Sequence, residues 1–208
     1  MSEIILPKGH LSFSQITLWL TARETYRQKY YPAVRPEYAT SPEMAFGNAV
    51  TEAMERNEEW CAFLPRFQTF EFDISGEVDG VKVEAYIDNI DLESLKFREQ
   101  KTGRTPWTME KVMGHIQLDI YSVLLEERFK RPAEHSELVW AKTRRKKSII
   151  DVMGHQVEAE TSEIELTGEY SVFVRTISKE ERAACREMIV RVGREIAEDY
   201  AALKHLYN

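Results

Sequence analysis

Cysteine is almost missing from this chain: Cys61 and Cys185 are the only two in 208 residues. They stand far apart and in no ligand-like spacing. A four-thiolate cluster and a secreted disulfide framework are therefore excluded, and two separate reduced thiols are expected. No apolar run is long enough to span a bilayer. The N-terminal MSEIILPKGH lacks the basic segment and sustained apolar stretch of a signal peptide. A cytoplasmic protein with no membrane contact is expected. Excess positive charge is absent too: 28 Lys and Arg stand against 35 Asp and Glu, a net charge of −7. Bulk charge alone would not hold nucleic acid to such a chain, though a local basic patch or a bound metal changes the field nearby. No repeat or low-complexity segment occurs.

What remains is ordinary globular composition, 43% hydrophobic and 30% charged, in a length that fits one domain over residues 1–208. Leu11 to Tyr31 reads as a helix capped at Ser12 or Ser14, with Gln15 completing a capping-box pattern, and stopped by Tyr31-Pro32. Arg35 to Glu43 reads as a loop. A second helix is expected from Ser41-Pro42 to about Leu64, with Gly47 costing it ~1 kcal/mol relative to alanine unless a neighbour comes close there. Two strands flank Asp79-Gly80, a strong hairpin signal. Val81, Val83, Ala85 and Ile87 share one face of the second. A further strand covers Ser94 to Thr102. Trp107 to Phe129 reads as a helix interrupted near Gly114, with Ile116, Ile120, Val123, Leu124 and Phe129 on its apolar side. Glu137 to Thr143 and Glu169 to Ile177 read as strands, and Arg144 to Gly168 as a loop or extended hairpin. Ser178 and Glu181 form a capping box for a last helix reaching Leu206. This order implies an α/β fold with a mixed central sheet flanked by helices.

The stretch YIDNIDLESLKFREQKTGR, Tyr86 to Arg104, places charges where strands usually avoid them. Glu99 and Lys101 project to one face, and a short turn can bring Asp88, eleven positions earlier, opposite Glu99. Two carboxylates that close resist joint ionisation unless a cation lies between them. Carboxylate and carbonyl oxygens suit magnesium or manganese, and a neighbouring lysine can orient a water or offset a phosphate's charge. The competing reading is a solvated strand face with a weak cross-strand ion pair, the ordinary fate of Glu-x-Lys.

Four blocks in order resemble the RecB-like branch of the PD-(D/E)XK nuclease superfamily, the branch of phage and CRISPR-type exonucleases. LSFSQITLWLTARETYRQKYY resembles its N-terminal helix. FGNAVTEAME resembles its glycine-x-x-x-histidine helix. YIDNID…REQKTG resembles its Asp…Glu-x-Lys-Thr-Gly core, and QLDIY its Gln-x-x-x-Tyr helix. The resemblance covers roughly Leu11 to Glu127 and implies a restriction-endonuclease-like core over about residues 42–143. By resemblance, Asp88, Glu99 and the Gln100 carbonyl would hold Mg2+ or Mn2+, Lys101 would be the catalytic lysine, and Gln117 and Tyr121 would lie beside the active site. Two departures stand out. Thr51 replaces the usual histidine, leaving Glu55, one turn further along that face, or the rotated Glu52 as stand-in ligands if either turns inward. Thr21-Ala22-Arg23 lacks the cysteine of relatives that carry an iron–sulfur cluster, so none is expected.

The resemblance implies a metal-dependent deoxyribonuclease acting on DNA in recombination, repair or phage DNA processing, alongside recombination proteins of phage or host. With no helix-turn-helix or zinc module present, an exonuclease on ends or single strands is expected. A structure-specific endonuclease is the alternative within the class. Outside it stand a DNA-binding protein that kept the fold without catalysis and an unrelated α/β protein with chance matches. Arg23, Arg27, Arg104 and Trp107 are the candidate DNA contacts, with Trp107 suited to stacking on a base. The basic run Arg144 to Lys147 reads equally well as a solvated hairpin tip.

Overall fold

The structure is a computed structural model and describes residues 4–32, 40–153 and 155–207. The loop expected from Arg35 lies, as far as Ala39, outside the described residues. Ser12 accepts the amide of Gln15 through its hydroxyl at 3.4 Å and opens α1, Phe13–Thr21. The single helix expected to Tyr31 is instead broken at Ala22, whose φ of −154° and ψ of 70° are not helical. α2, Arg23–Tyr30, continues in a new direction and buries Tyr26 and Tyr30. α3, Pro42–Glu55, starts as expected, with Ser41 capping the amide of Met44 at 3.1 Å. It stops well short of Leu64 because Asn57 adopts the left-handed region (φ 59°), which asparagine tolerates. One 3₁₀ turn, Glu59–Cys61, follows.

The next strands are β1 (Thr69–Asp73), β2 (Gly76–Val78), β3 (Val81–Val83), β4 (Tyr86–Asp91) and β5 (Lys96–Gly103). Asp79 and Gly80 both have positive φ and join β2 to β3 in a two-residue turn, the geometry that matches the twist of a hairpin. The long hairpin splits, however. β2 and β3 form their own two-stranded sheet, while β1 and β4 join a five-stranded sheet of order β1-β4-β5-β6-β7. Ser75 marks the split, its hydroxyl accepting the amide of Ala85 at 3.1 Å.

From β5 the chain passes through α4 (Met109–Met113) and α5 (Ile116–Phe129), interrupted at Gly114 as expected, into β6 (Ser136–Val152), which lies parallel to β5. The other pairings are antiparallel, so the sheet is mixed. β6 and β7 (His155–Arg175) run far beyond the sheet body as a two-stranded arm, so the basic run lies within a strand. α6, Lys179–Leu203, begins with the complete Ser178–Glu181 capping box and ends in a 3₁₀ turn reaching Leu206.

α5 departs most from the one-sided pattern expected of it. All nine residues from Gln117 to Leu125 are buried. It lies between strands and α6: Tyr121 meets Phe97 of β5 edge-on at 5.9 Å, Arg175 of β7 grips Asp119 at 2.7 and 3.2 Å, and Arg182 of α6 reaches Glu126 at 3.0 Å. α3 covers another part of the sheet. Its Gly47 lies over β5, where an added Cβ would stand 3.4 Å from Thr102 Oγ1, an ordinary contact. Both cysteines are buried and unpaired. Among the described residues no helix is long and apolar enough to cross a membrane.

Candidate active site

β4 and β5 pair only over Asn89–Asp91 and Lys96–Arg98. The ladder stops there, and its register, carried one step on, puts Asp88 across from Glu99. The bond that would have been backbone to backbone is replaced by a side chain: Asp88 Oδ2 accepts the amide of Gln100 at 2.6 Å. β5 is secured on its other side by β6, with Glu99, Gln100 and Lys101 opposite Leu138, Val139 and Trp140. The two carboxylates are thus fixed where strands part, on an element that cannot slide.

Glu99 is only 3% exposed. Its Oε1 accepts a hydrogen bond from Lys101 Nζ, while its Oε2 is buried with no hydrogen bond of proper geometry, the Tyr121 hydroxyl, committed to the Tyr86 carbonyl, being the nearest donor to act on Glu99. A buried acceptor without a donor costs roughly 1–3 kcal/mol, more when charged. From Lys101 a run of hydrogen bonds proceeds in one direction. Lys101 Nζ donates to Gln117 Oε1 at 3.1 Å, Gln117 Nε2 donates to the Tyr121 hydroxyl at 2.6 Å, and that hydroxyl donates to the Tyr86 carbonyl at 2.6 Å. Gln117 and Tyr121 are one helical turn apart on α5. They hold the lysine and the start of β4 together, two residues before Asp88.

Burial pushes the Asp88 carboxyl well above the usual carboxylate range. The Glu99 charge adds to this, and the Gln100 amide and Lys101 only partly offset it. Burial also raises the Tyr121 phenol, with Glu99 and Asp88 adding to the effect, so it stays a donor. His115 caps this end of α5. Burial and then Lys101 push its imidazole down to about 4, keeping it neutral between the ring edges of Phe13 and Trp107.

The structure therefore brings Asp88, Glu99, Lys101, Gln117 and Tyr121 into one site, with Gln100 bonded to Asp88. Thr51 lies on α3, its hydroxyl turned back to the Gly47 carbonyl at 3.4 Å. Glu52 is exposed and pairs with Arg56 at 3.3 Å. Glu55 is exposed and lies within electrostatic reach of Glu71, an acidic residue of β1 that sequence reasoning missed. The β1–β4 register places Glu71 across from Asp88. Desolvation, then Glu55 and Glu99, raise its carboxyl. Only the alternation of TFEFD hinted at it, and without the β1–β4 register that hint has no destination.

The four candidate DNA contacts fall in two places. Arg27 grips Asp199 of α6 at 2.6 and 2.9 Å, and Tyr31 adds a bond to the same carboxylate at 2.6 Å. Arg23 pairs with Glu195 at 2.6 Å and covers the Trp19 ring. Both thus join α2 to α6. Arg104 leaves the end of β5 beside a cavity that Phe46, Arg144, Arg145 and Ile164 also line, and approaches Glu160 at 3.3 Å. Trp107 packs against His115, with Lys111 Nζ 4.4 Å from its ring centre. Each cation of the basic run faces a glutamate: Arg144 with Glu165, Arg145 with Glu43, Lys146 with Glu163 and Lys147 with Glu158, at 2.7–2.8 Å.

Among the described residues no three His, Cys, Asp or Glu side chains stand ready as a metal cage. The donor set nonetheless fits a hard divalent cation, which takes carboxylate and carbonyl oxygens. Asp88 and Glu99 supply such oxygens at one point, and the orphaned Oε2 of Glu99 needs a positive partner.

A crystal structure titled as that of SSO0001 matches 94% of this chain and 76% of its own at 15% identity and a TM-score of 0.46, too distant to bear on fold or activity. No curated protein matches the chain. A family model described as the PD-(D/E)XK nuclease superfamily matches residues 20–205, nearly the whole length and every element of the site. The chain belongs to the PD-(D/E)XK nuclease superfamily.

Proposed function

We propose that this protein is a Mg2+- or Mn2+-dependent deoxyribonuclease of the RecB-like branch, acting as an exonuclease on DNA ends or single strands. The observation that carries the reading is the crowding of Asp88 and Glu99 at a strand fork, with one Glu99 oxygen left unpartnered. Like charges held that close cost the fold, and a cation between them would offset the cost. Asp88, Glu99 and the Gln100 carbonyl would hold the ion. When bound, it supplies a Lewis acid for a phosphoryl oxygen and lowers the pKa of a bound water.

The protein's own groups do the rest. A lysine ammonium has three N–H donors. Lys101 commits one to Glu99 and one to Gln117, which leaves the third for the attacking water or the scissile phosphate. Gln117 and Tyr121 are positioning residues: they fix where that third donor points and how β4 approaches it. Arg104 and Trp107 flank the path of the strand, one for a phosphate and one for a base. Arg23 and Arg27 already serve the contact with α6.

The test is cleavage of labelled single- and double-stranded DNA, with free or blocked ends, with and without Mg2+ or Mn2+. The expected outcome is metal-dependent cleavage that needs a free end and disappears in Glu99→Gln. Cleavage of end-blocked DNA would point to the endonuclease alternative. Binding without cleavage under any metal would make the chain a DNA-binding member of its superfamily and end the catalytic reading.

A further inference from the structure

β1 contains a residue that the strand has no reason to hold as it does. Glu71 has a φ of 43°, in the left-handed region, and is the gap in a ladder whose neighbours Phe70 and Phe72 pair with Asn89 and Ile87 of β4 in one register. That region costs a residue with a side chain of order 1–3 kcal/mol. Glutamate lacks the short side chain that lets asparagine or aspartate offset the cost locally. Glycine would adopt the same backbone freely. A local departure of this kind in a ladder re-aims the side chain it carries.

Glu71 has no hydrogen-bond or ion-pair partner among the described residues; the charges near enough to couple with it are those of Glu55, Glu99 and Asp88. The β1–β4 pairs on either side bracket Glu71 with Asp88, and the β4–β5 register, carried one step past its last pair, brackets Asp88 with Glu99. At the β5 end of that row lies the Glu99 oxygen that is buried without a donor. A hard cation held by Asp88, Glu99 and one carbonyl still has coordination positions to fill, with water or with a further carboxylate.

We propose that Glu71 is a third carboxylate ligand of the cation held by Asp88 and Glu99, reached by a turn of its exposed side chain. This inference rests on the metal-dependent reading of the site. It assigns a further oxygen to β1, although Thr51 and Glu55 of α3 drew attention in the sequence. It also gives the strained backbone a purpose. In the metal-free protein Glu71 is a conformational cost and an unpaired charge, and the bound ion offsets both.

Calorimetric titration of the metal-free full chain with Mn2+, together with its thermal midpoint, tests the proposal. Glu71→Gln is expected to weaken Mn2+ binding by about tenfold or more, with the metal-free midpoint kept. Glu71→Gly is expected to weaken it equally while the metal-free midpoint holds or rises, because glycine relieves the left-handed backbone. Both should lose much of the rise in midpoint that Mn2+ gives the wild type. Wild-type affinity in Glu71→Gln, or a larger loss in Glu55→Gln than in Glu71→Gln, overturns the assignment to Glu71. If the wild type binds Mn2+ and cleaves DNA in either of those cases, the nuclease reading survives without it. If the wild type neither binds Mn2+ nor cleaves, both fall together.

Discussion

The fork between β4 and β5 and the arm of β6 and β7 are both rich in charge, and they handle it in opposite ways. On the arm, every cation of the basic run has a glutamate beside it, and most of these groups are open to water. Such pairs are worth little to stability and lose even that in salt. At the fork, carboxylates face each other with too little positive charge, and one oxygen has no partner. The arm's charges are balanced by one another, with Glu43 of α3 completing the set at Arg145. Those at the fork are not, and a site of chemistry is what an unbalanced, half-buried cluster on a rigid strand indicates.

The difference should be greatest in activity. Glu99→Gln keeps the shape of the side chain but removes a formal charge from the site. Cleavage should fall by about a hundredfold or more, with Mn2+ binding lost in calorimetry. Tyr121→Phe should act next most strongly. It removes the donor to the Tyr86 carbonyl and the acceptor for Gln117, a buried loss of about 1–3 kcal/mol that chemical denaturation would detect. Because the phenol touches Lys101 only through Gln117, kcat should drop about tenfold with KM little changed. An equal loss in KM would mean that Tyr121 supports substrate binding instead.

Asp88→Asn should separate stability from function. A carboxyl whose folded pKa is raised favours the fold while protonated. That contribution is complete below its unfolded value of about 3.9 and is lost as pH rises through the folded value. At neutral pH, where the unfolded chain carries this carboxylate ionised, Asp88 is therefore a cost to the metal-free chain. Asparagine keeps an acceptor for the Gln100 amide and removes the cost, so the metal-free thermal midpoint should rise by a few degrees while cleavage is abolished. The advantage should shrink as pH falls toward 4. A lower midpoint at neutral pH would show that the charge is stabilised by something other than the groups described. The smallest effect belongs to the arm. Arg144→Gln, which breaks the pair with Glu165, should leave both midpoint and cleavage within error; a clear loss of DNA binding would turn that arginine into a phosphate contact.

The site was legible in the sequence where its geometry is local. Alternation along a strand places Glu99 with Lys101, a tight turn brings back Asp88, and four-residue spacing stacks Gln117 on Tyr121. The Asp79-Gly80 turn and the Ser178–Glu181 cap are equally local. What the sequence hid depends on partners far along the chain. The break at Ala22 lets α2 set Arg27 and Tyr31 against Asp199, 172 and 168 residues away. Ser75 divides one apparent hairpin between two sheets. Glu71 gains its meaning only from pairing with β4. Gln117 to Leu125 of α5 is buried on every side, with Asp119 within it neutralised by Arg175 from a later strand, which no helical periodicity reveals.

The account stands most directly on Lys101. Single-turnover cleavage by Lys101→Ala at saturating enzyme, alongside calorimetry with Mn2+, isolates its role. Lysine is not a ligand, so metal binding should be largely kept, and DNA affinity should fall only by the loss of one phosphate contact. The chemical step should fall far more, since positioning and charge stabilisation act on the transition state. Cleavage near the wild-type rate would make the Glu99–Lys101 pair an ion pair and nothing else, and would contradict the catalytic reading of the fork.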